Sequence, residues 1–102
     1  MLKRYNSQKV LKRDRRCVYC GSSEHLTTDH VIPISRRHDY GLSGGEINNY
    51  GNLVAACRKC NCKKSARTPE EFFQKHPEYE QNFIRNSRYI SDRVLSALGL
   101  NR

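Results

Sequence analysis

The chain has 102 residues and carries 19 Lys and Arg against 10 Asp and Glu, a formal net charge of +9. Folding at this length buries only about 60 to 65% of the unfolded surface, so one small core is the limit and a structural metal would carry much of the stability. The charge favours nucleic acid as the partner.

No stretch approaches the ~18 apolar residues of a membrane span, and Met1-Leu2-Lys3-Arg4-Tyr5-Asn6-Ser7 lacks the apolar centre of a signal peptide. A cytoplasmic protein without a membrane partner is expected. Four of the five cysteines fall into two Cys-x-x-Cys pairs, which in a reducing compartment reads as zinc binding rather than a disulfide framework.

Residues 1–16 form a basic arm, with Lys3, Arg4, Lys9, Lys12, Arg13, Arg15 and Arg16 against Asp14 alone. Ser7 is positioned to cap a short helix over Gln8 to Asp14 whose apolar side is Val10 and Leu11. Lys9, Lys12, Arg13 and Arg16 would then face phosphates.

Cys17-Val18-Tyr19-Cys20-Gly21 has the form of a zinc knuckle, since two residues between thiolates let both sulfurs reach one tetrahedral ion. Cys57-Arg58-Lys59-Cys60 repeats the spacing, and Cys17, Cys20, Cys57 and Cys60 together predict one closed structural zinc site. Zinc binding would contribute about 10 kcal/mol of folding free energy. Cys62 is left over as a spare thiol.

Leu26 to Ile32 is rich in β-branched residues and reads as a strand ended by Pro33. Residues 35–51, with four glycines and several polar residues, read as a long polar connection. Asn52 to Ala56 reads as a second strand antiparallel to the first, and a helix carrying Asn61, Lys63, Lys64 and Arg67 starts at Cys60. This ββα order would converge Asp29, His30 and Asn61. His25, His38 and His76 read as surface residues.

Thr68-Pro69-Glu70-Glu71 is a capping-box start for a helix that includes Phe72 and Phe73. Pro77 opens another, expected to run to Leu98 with Gly99 as its stop, and its apolar stripe of Tyr79, Phe83, Ile90, Val94 and Leu98 reads as core packing or a dimer contact. The chain is thus expected to be one α+β domain: a basic arm (1–16), a knuckle-bracketed core (17–68) and C-terminal helices (69–102) of unassigned role, as a monomer or homodimer.

Between about Val10 and Pro69, this order of motifs resembles the HNH endonucleases, the ββα-metal or His-Me finger group, in their four-cysteine zinc form. The carriers are the basic lead-in, Cys-x-x-Cys-Gly, Asp-His-Val-Ile-Pro, Asn-Leu-Val-x-x-Cys-x-x-Cys-Asn and a following Lys. The family's three letters fall on His30, Asn52 and Asn61. The third is His in the pattern that names the family, so the chain is an HNN variant.

The resemblance implies a small ββα-metal core and hydrolysis of DNA phosphodiester bonds in a prokaryotic or phage setting. It implies His30 as general base, because an imidazole can take a proton from water near neutral pH. Asp29 and Asn61 would hold one divalent cation, and two oxygen donors favour Mg2+ or Mn2+ over Ni2+ or Zn2+. Asn52 would hold the loop that orients His30, and Lys63, Lys64 and Arg67 would meet DNA phosphates.

The rival from another class is a zinc-stabilised DNA-binding module that cuts nothing. Binding alone needs none of Asp29, His30 and Asn61, which favours the enzyme. An RNA-directed nuclease fits less well, because the sequence offers no aromatic platform for single strands.

Overall fold

The computed structural model describes residues 4–100, so Lys3 of the basic arm lies outside the described residues. Helix α1 spans Ser7–Asp14, and its cap is Asn6 rather than Ser7: the Asn6 carboxamide oxygen accepts from Gln8 N at 2.9 Å. Asn caps at least as well as Ser, and here the cap moves one residue upstream. The helix buries Val10 and Asp14.

Asp14 explains where α1 lies. Strand β1 (Leu26–His30) pairs antiparallel with β2 (Leu53–Cys57), in a register running from Leu26 opposite Cys57 to His30 opposite Leu53. The outer edge of β2 would leave backbone groups unpaired. Asp14 accepts from Ala55 N at 2.8 Å, and Val18 N donates to Ala55 O at 3.0 Å. Arg13 donates to Tyr50 O at 3.0 Å and also to Leu53 O.

Strand β1 is shorter than expected because Val31 and Ile32 turn away. Val31 N still reaches Asn52 O at 2.9 Å, but Ile32 bonds the Asn52 side chain. The expected loose connection is instead three short helical turns: a 3-10 segment Ile34–Tyr40, helix α2 (Gly44–Ile47) and a 3-10 turn Tyr50–Asn52. A capping box between Ser43 and Glu46 starts α2. Alternation and glycine content did not reveal it.

Helix α3 (Arg58–Lys64) follows β2 directly, with Cys57 as its cap, and α4 (Pro69–Lys75) begins at the expected Thr68/Glu71 box. The single long helix expected from Pro77 to Leu98 is two: α5 (Pro77–Asn86) and α6 (Asp92–Ala97). Ser87 breaks it, turning extended while its N–H and hydroxyl both donate to Phe83 O, and Ser91 caps α6.

The segment between them crosses the loop before β2, where Ser91 N donates to Gly51 O at 3.1 Å. A Cβ at Gly51 would stand 2.4 Å from Ser91 Cβ, so only glycine admits this approach. The apolar stripe packs inward: Phe83 and Val94 are buried, with Tyr79, Ile90 and Leu98 partly so. Tyr19 is central to the core, edge-on to Phe72 at 5.3 Å and stacked on Phe83 at 5.9 Å.

Candidate active site and metal centre

The first knuckle turns after α1. Cys17 N donates to Ser22 O at 2.7 Å and Gly21 N to Cys17 O at 2.8 Å, with Gly21 at a φ of +83° that strains any side chain. The second begins at the last residue of β2, and Cys60 sits in the first turn of α3.

The four sulfurs of Cys17, Cys20, Cys57 and Cys60 lie within 4.8 Å of one another, and the Cys20 and Cys57 sulfurs are 3.6 Å apart. Tetrahedral Zn–S bonds of about 2.3 Å place sulfurs about 3.8 Å apart, so this set fits zinc with no position left for chemistry. A hydrogen bond from Cys60 holds Cys17 at about 4 and pushes Cys60 well up. Cys62 is exposed, outside the cluster.

Asp29, His30 and Asn61 line one open cleft of about 540 Å3, with Thr28, Pro33 and Ser65. The end of β1 supplies the first two and α3 the third. Thr28 Oγ1, on the same wall, is the buried side-chain polar atom without a hydrogen-bond partner among the described residues. Such an atom is costly unless a ligand or water meets it.

His30 is held from two sides. Its Nε2 lies 2.6 Å from Asn48 Oδ1, and its ring meets Tyr5 edge-on at 5.5 Å. A carboxamide oxygen only accepts, so Nε2 carries the hydrogen and Nδ1 keeps the lone pair. Asn52, fully buried, accepts from Ile32 N at 2.9 Å and donates to Ile32 O at 3.1 Å and Ile47 O at 2.9 Å. It thereby ties the segment after His30 to α2.

Asp29 is 5% exposed and faces two donors: the Tyr19 hydroxyl at 2.7 Å and Lys64 Nζ at 3.5 Å. Burial raises the Asp29 pKa, and the Lys64 charge opposes that shift. Burial lowers Lys64 in turn, opposed by Asp29. Tyr19 is driven well above its ordinary value by burial and then by the Asp29 charge, so it stays a donor.

Lys64 corrects the sequence reading. It was expected to meet phosphate, yet it is fully buried, with Nζ 2.8 Å from His30 O. Spacing along a helix does not say which face is core, and an unpaired buried Asp29 needs a cation. Arg13, also expected to face phosphate, is largely spent on Asp14 and the β2 edge.

The other basic residues divide. Lys9, Lys12 and Arg16 are exposed, Lys9 lying over the Tyr50 ring. Lys63 bonds the Tyr79 hydroxyl at 3.2 Å, and Arg67 bonds Lys63 O at 2.6 Å. Asn48, Tyr5 and Tyr19 are the cleft partners that sequence reasoning missed. Tyr19 carried a signal in its placement, a phenol inside the first knuckle between two ligand cysteines. Asn48 carried none, sitting among neighbouring asparagines in a stretch read as loop.

Two short antiparallel strands, a helix, a four-sulfur cluster and a cleft shared by Asp29, His30 and Asn61 make a small α+β zinc-knuckle fold. The family model for HNH endonuclease matches residues 17–67, half of the 102 residues, and the chain belongs to that family. Over 76 residues it is 32% identical to a CRISPR-associated endonuclease Cas9 of Corynebacterium diphtheriae, a match covering 72% of this chain and 6% of that protein. The crystal structure of the type II-C Cas9 enzyme from Actinomyces naeslundii superposes with a TM-score of 0.55 over 98% of this chain and 12% of that one, at 24% identity. The chain thus spans a small part of either relative. No helix among the described residues is long and apolar enough to cross a membrane.

Proposed function

We propose that this chain is a metal-dependent endonuclease domain that hydrolyses DNA phosphodiester bonds, with His30 as general base. The observation that carries the reading is the single cleft shared by Asp29, His30 and Asn61, in which the imidazole is already oriented. DNA is the polyanion that the +9 charge favours.

His30 Nδ1 takes a proton from the attacking water as its oxygen bonds phosphorus and the bond to the 3′ oxygen breaks, that oxygen then taking a proton from solvent. Asn48 holds the imidazole tautomer that leaves Nδ1 free, and Asn52 holds the segment that follows. Burial raises the Asp29 pKa, and the Lys64 charge works against that rise. The donor set, one carboxylate and one carboxamide oxygen with open cleft beyond, fits a hard cation better than zinc. Bound by Asp29 and Asn61, Mg2+ or Mn2+ would supply charge stabilisation to the phosphoryl oxygens and the leaving 3′ oxygen.

The test is plasmid nicking with Mg2+, Mn2+, Ni2+, Zn2+ or no added metal, beside His30→Ala, with zinc counted in both. Cleavage that needs added metal and vanishes in the variant, with about one zinc per chain retained, is the expected result. DNA binding without cutting under every metal would return the cleft to a structural role in a DNA-binding module.

A further inference from the structure

Outside the zinc cluster and the His30 cleft, one concavity is lined mainly by arginines. Arg16, Arg85 and Arg88 line a cleft of about 310 Å3 together with Asn86 and Asp14. Arg16 lies between α1 and the first knuckle, whereas Arg85 and Arg88 come from the end of α5 and the residues after it. Chain segments far apart in sequence therefore bring three arginines to one hollow.

Their convergence is fixed by the fold. Asn82 in α5 donates to Tyr19 O at 2.8 Å, and Phe83 stacks on the Tyr19 ring, so the end of α5 is pinned to the knuckle that follows Arg16. The carboxylate in the hollow does not neutralise them. Asp14 is 1% exposed and its oxygens are taken by Arg13, at 2.7 and 3.0 Å, and by Ala55 N. Among the described residues, Arg16, Arg85 and Arg88 form no ion pair, whereas Arg36 and Arg93 do.

Three like charges held in one hollow repel unless an anion joins them, and guanidinium donors in a fork match phosphate oxygens. We infer that Arg16, Arg85 and Arg88 bind backbone phosphate of nucleic acid at a second contact, outside the cleft of His30. The two clefts share no lining residue. Asp14 marks the outer edge of β2, and the His30 cleft opens at β1, so a strand separates them. A polyanion held at both would be gripped away from the reacting phosphate as well as at it. The inference rests on the nucleic-acid reading above.

The test measures binding of a fluorescent duplex across salt concentrations without added divalent metal, in the His30→Ala background so that nothing is cut. Arg85 and Arg88 are exposed, so Arg85→Gln with Arg88→Gln should keep zinc content and melting temperature. The double variant is expected to bind about tenfold more weakly at low salt, and its log-log salt slope to be shallower by about one to two. Unchanged affinity and slope would overturn the second contact while leaving nucleic-acid binding intact. Failure of the parent to bind any duplex would remove both readings together.

Arginine Nε signals followed by NMR separate the source of phosphate. Shifts with duplex, and weak ones with inorganic phosphate alone, support backbone recognition. Shifts with inorganic phosphate and none with duplex would make the hollow a small-anion site and overturn the nucleic-acid assignment.

Discussion

Lys64 Nζ stands 3.5 Å from the Asp29 carboxylate and 2.8 Å from the carbonyl oxygen of His30, so one buried ammonium joins the acid to the backbone of the neighbouring histidine. Desolvation opposes both charges, and each exists inside because the other does. Removing one partner of such a pair is costly, whereas removing both is far less so.

Lys64→Met should therefore cost about 3 to 5 kcal/mol. Asp29→Asn with Lys64→Met should recover most of that loss, because neither charge is then stranded. Urea denaturation of the two single variants and the double variant gives the coupling. Additive effects would mean that the pair does not act as one unit.

The raised pKa of Asp29 has a pH signature. Above its ordinary value of 3.8, the unfolded chain gives up a proton that the folded chain still holds. Stability from this group is therefore complete below that value and declines as pH rises through the folded pKa. The stability of wild type relative to Asp29→Asn should fall with rising pH from acid toward neutrality. Acid release of zinc affects both proteins alike and drops out of the difference. A gap independent of pH would contradict the burial account.

Cys57 is both a sulfur of the cluster and the cap of α3, accepting from Cys60 N at 3.4 Å. Cys57→Ser keeps a cap but loses a thiolate. It should lose zinc and cooperative folding together, since metal affinity of this kind is folding free energy. Zinc content and thermal unfolding measured on one sample decide it. A zinc-free variant with wild-type melting would show that the knuckles hold without metal.

Asn48 should act through His30. Asn48→Ala is expected to lower kcat about 10- to 100-fold, by analogy with removing the outer partner of a metal-site histidine, with KM little changed. Asn48→Asp is the sharper variant. A carboxylate beside the ring favours imidazolium, so the acid limb of the rate profile should move to higher pH. A lower rate with an unmoved limb would leave Asn48 a loop anchor only.

Much of this site is legible in the sequence because covalent spacing dictates it. Two Cys-x-x-Cys pairs need no tertiary knowledge to share an ion, and the Thr68/Glu71 box announces α4 through backbone hydrogen bonding local to it. What stayed hidden depends on contacts between distant segments. Apolar spacing carries a helix through residues 87–91, but the chain turns extended at Ser87 and the segment that follows packs on the loop at Gly51. Lys64 reads as a surface charge until the buried carboxylate of Asp29 gives it a reason to turn inward. Asn48 is one asparagine among several until folding sets its oxygen 2.6 Å from an imidazole.

The contact between Gly51 and Ser91 also separates two notions of where this protein's working part ends. The recognisable motif stops at residue 67, yet the loop leading into Asn52 leans on a backbone segment beyond it. A fragment cut at the motif's end would keep each signature residue and leave the Gly51 carbonyl facing water. The helices past residue 68 pack Phe72, Phe83 and Val94 into the core, and at Ser91 the chain between them reaches the loop itself. At that close approach a segment outside the family match bears directly on the loop inside it.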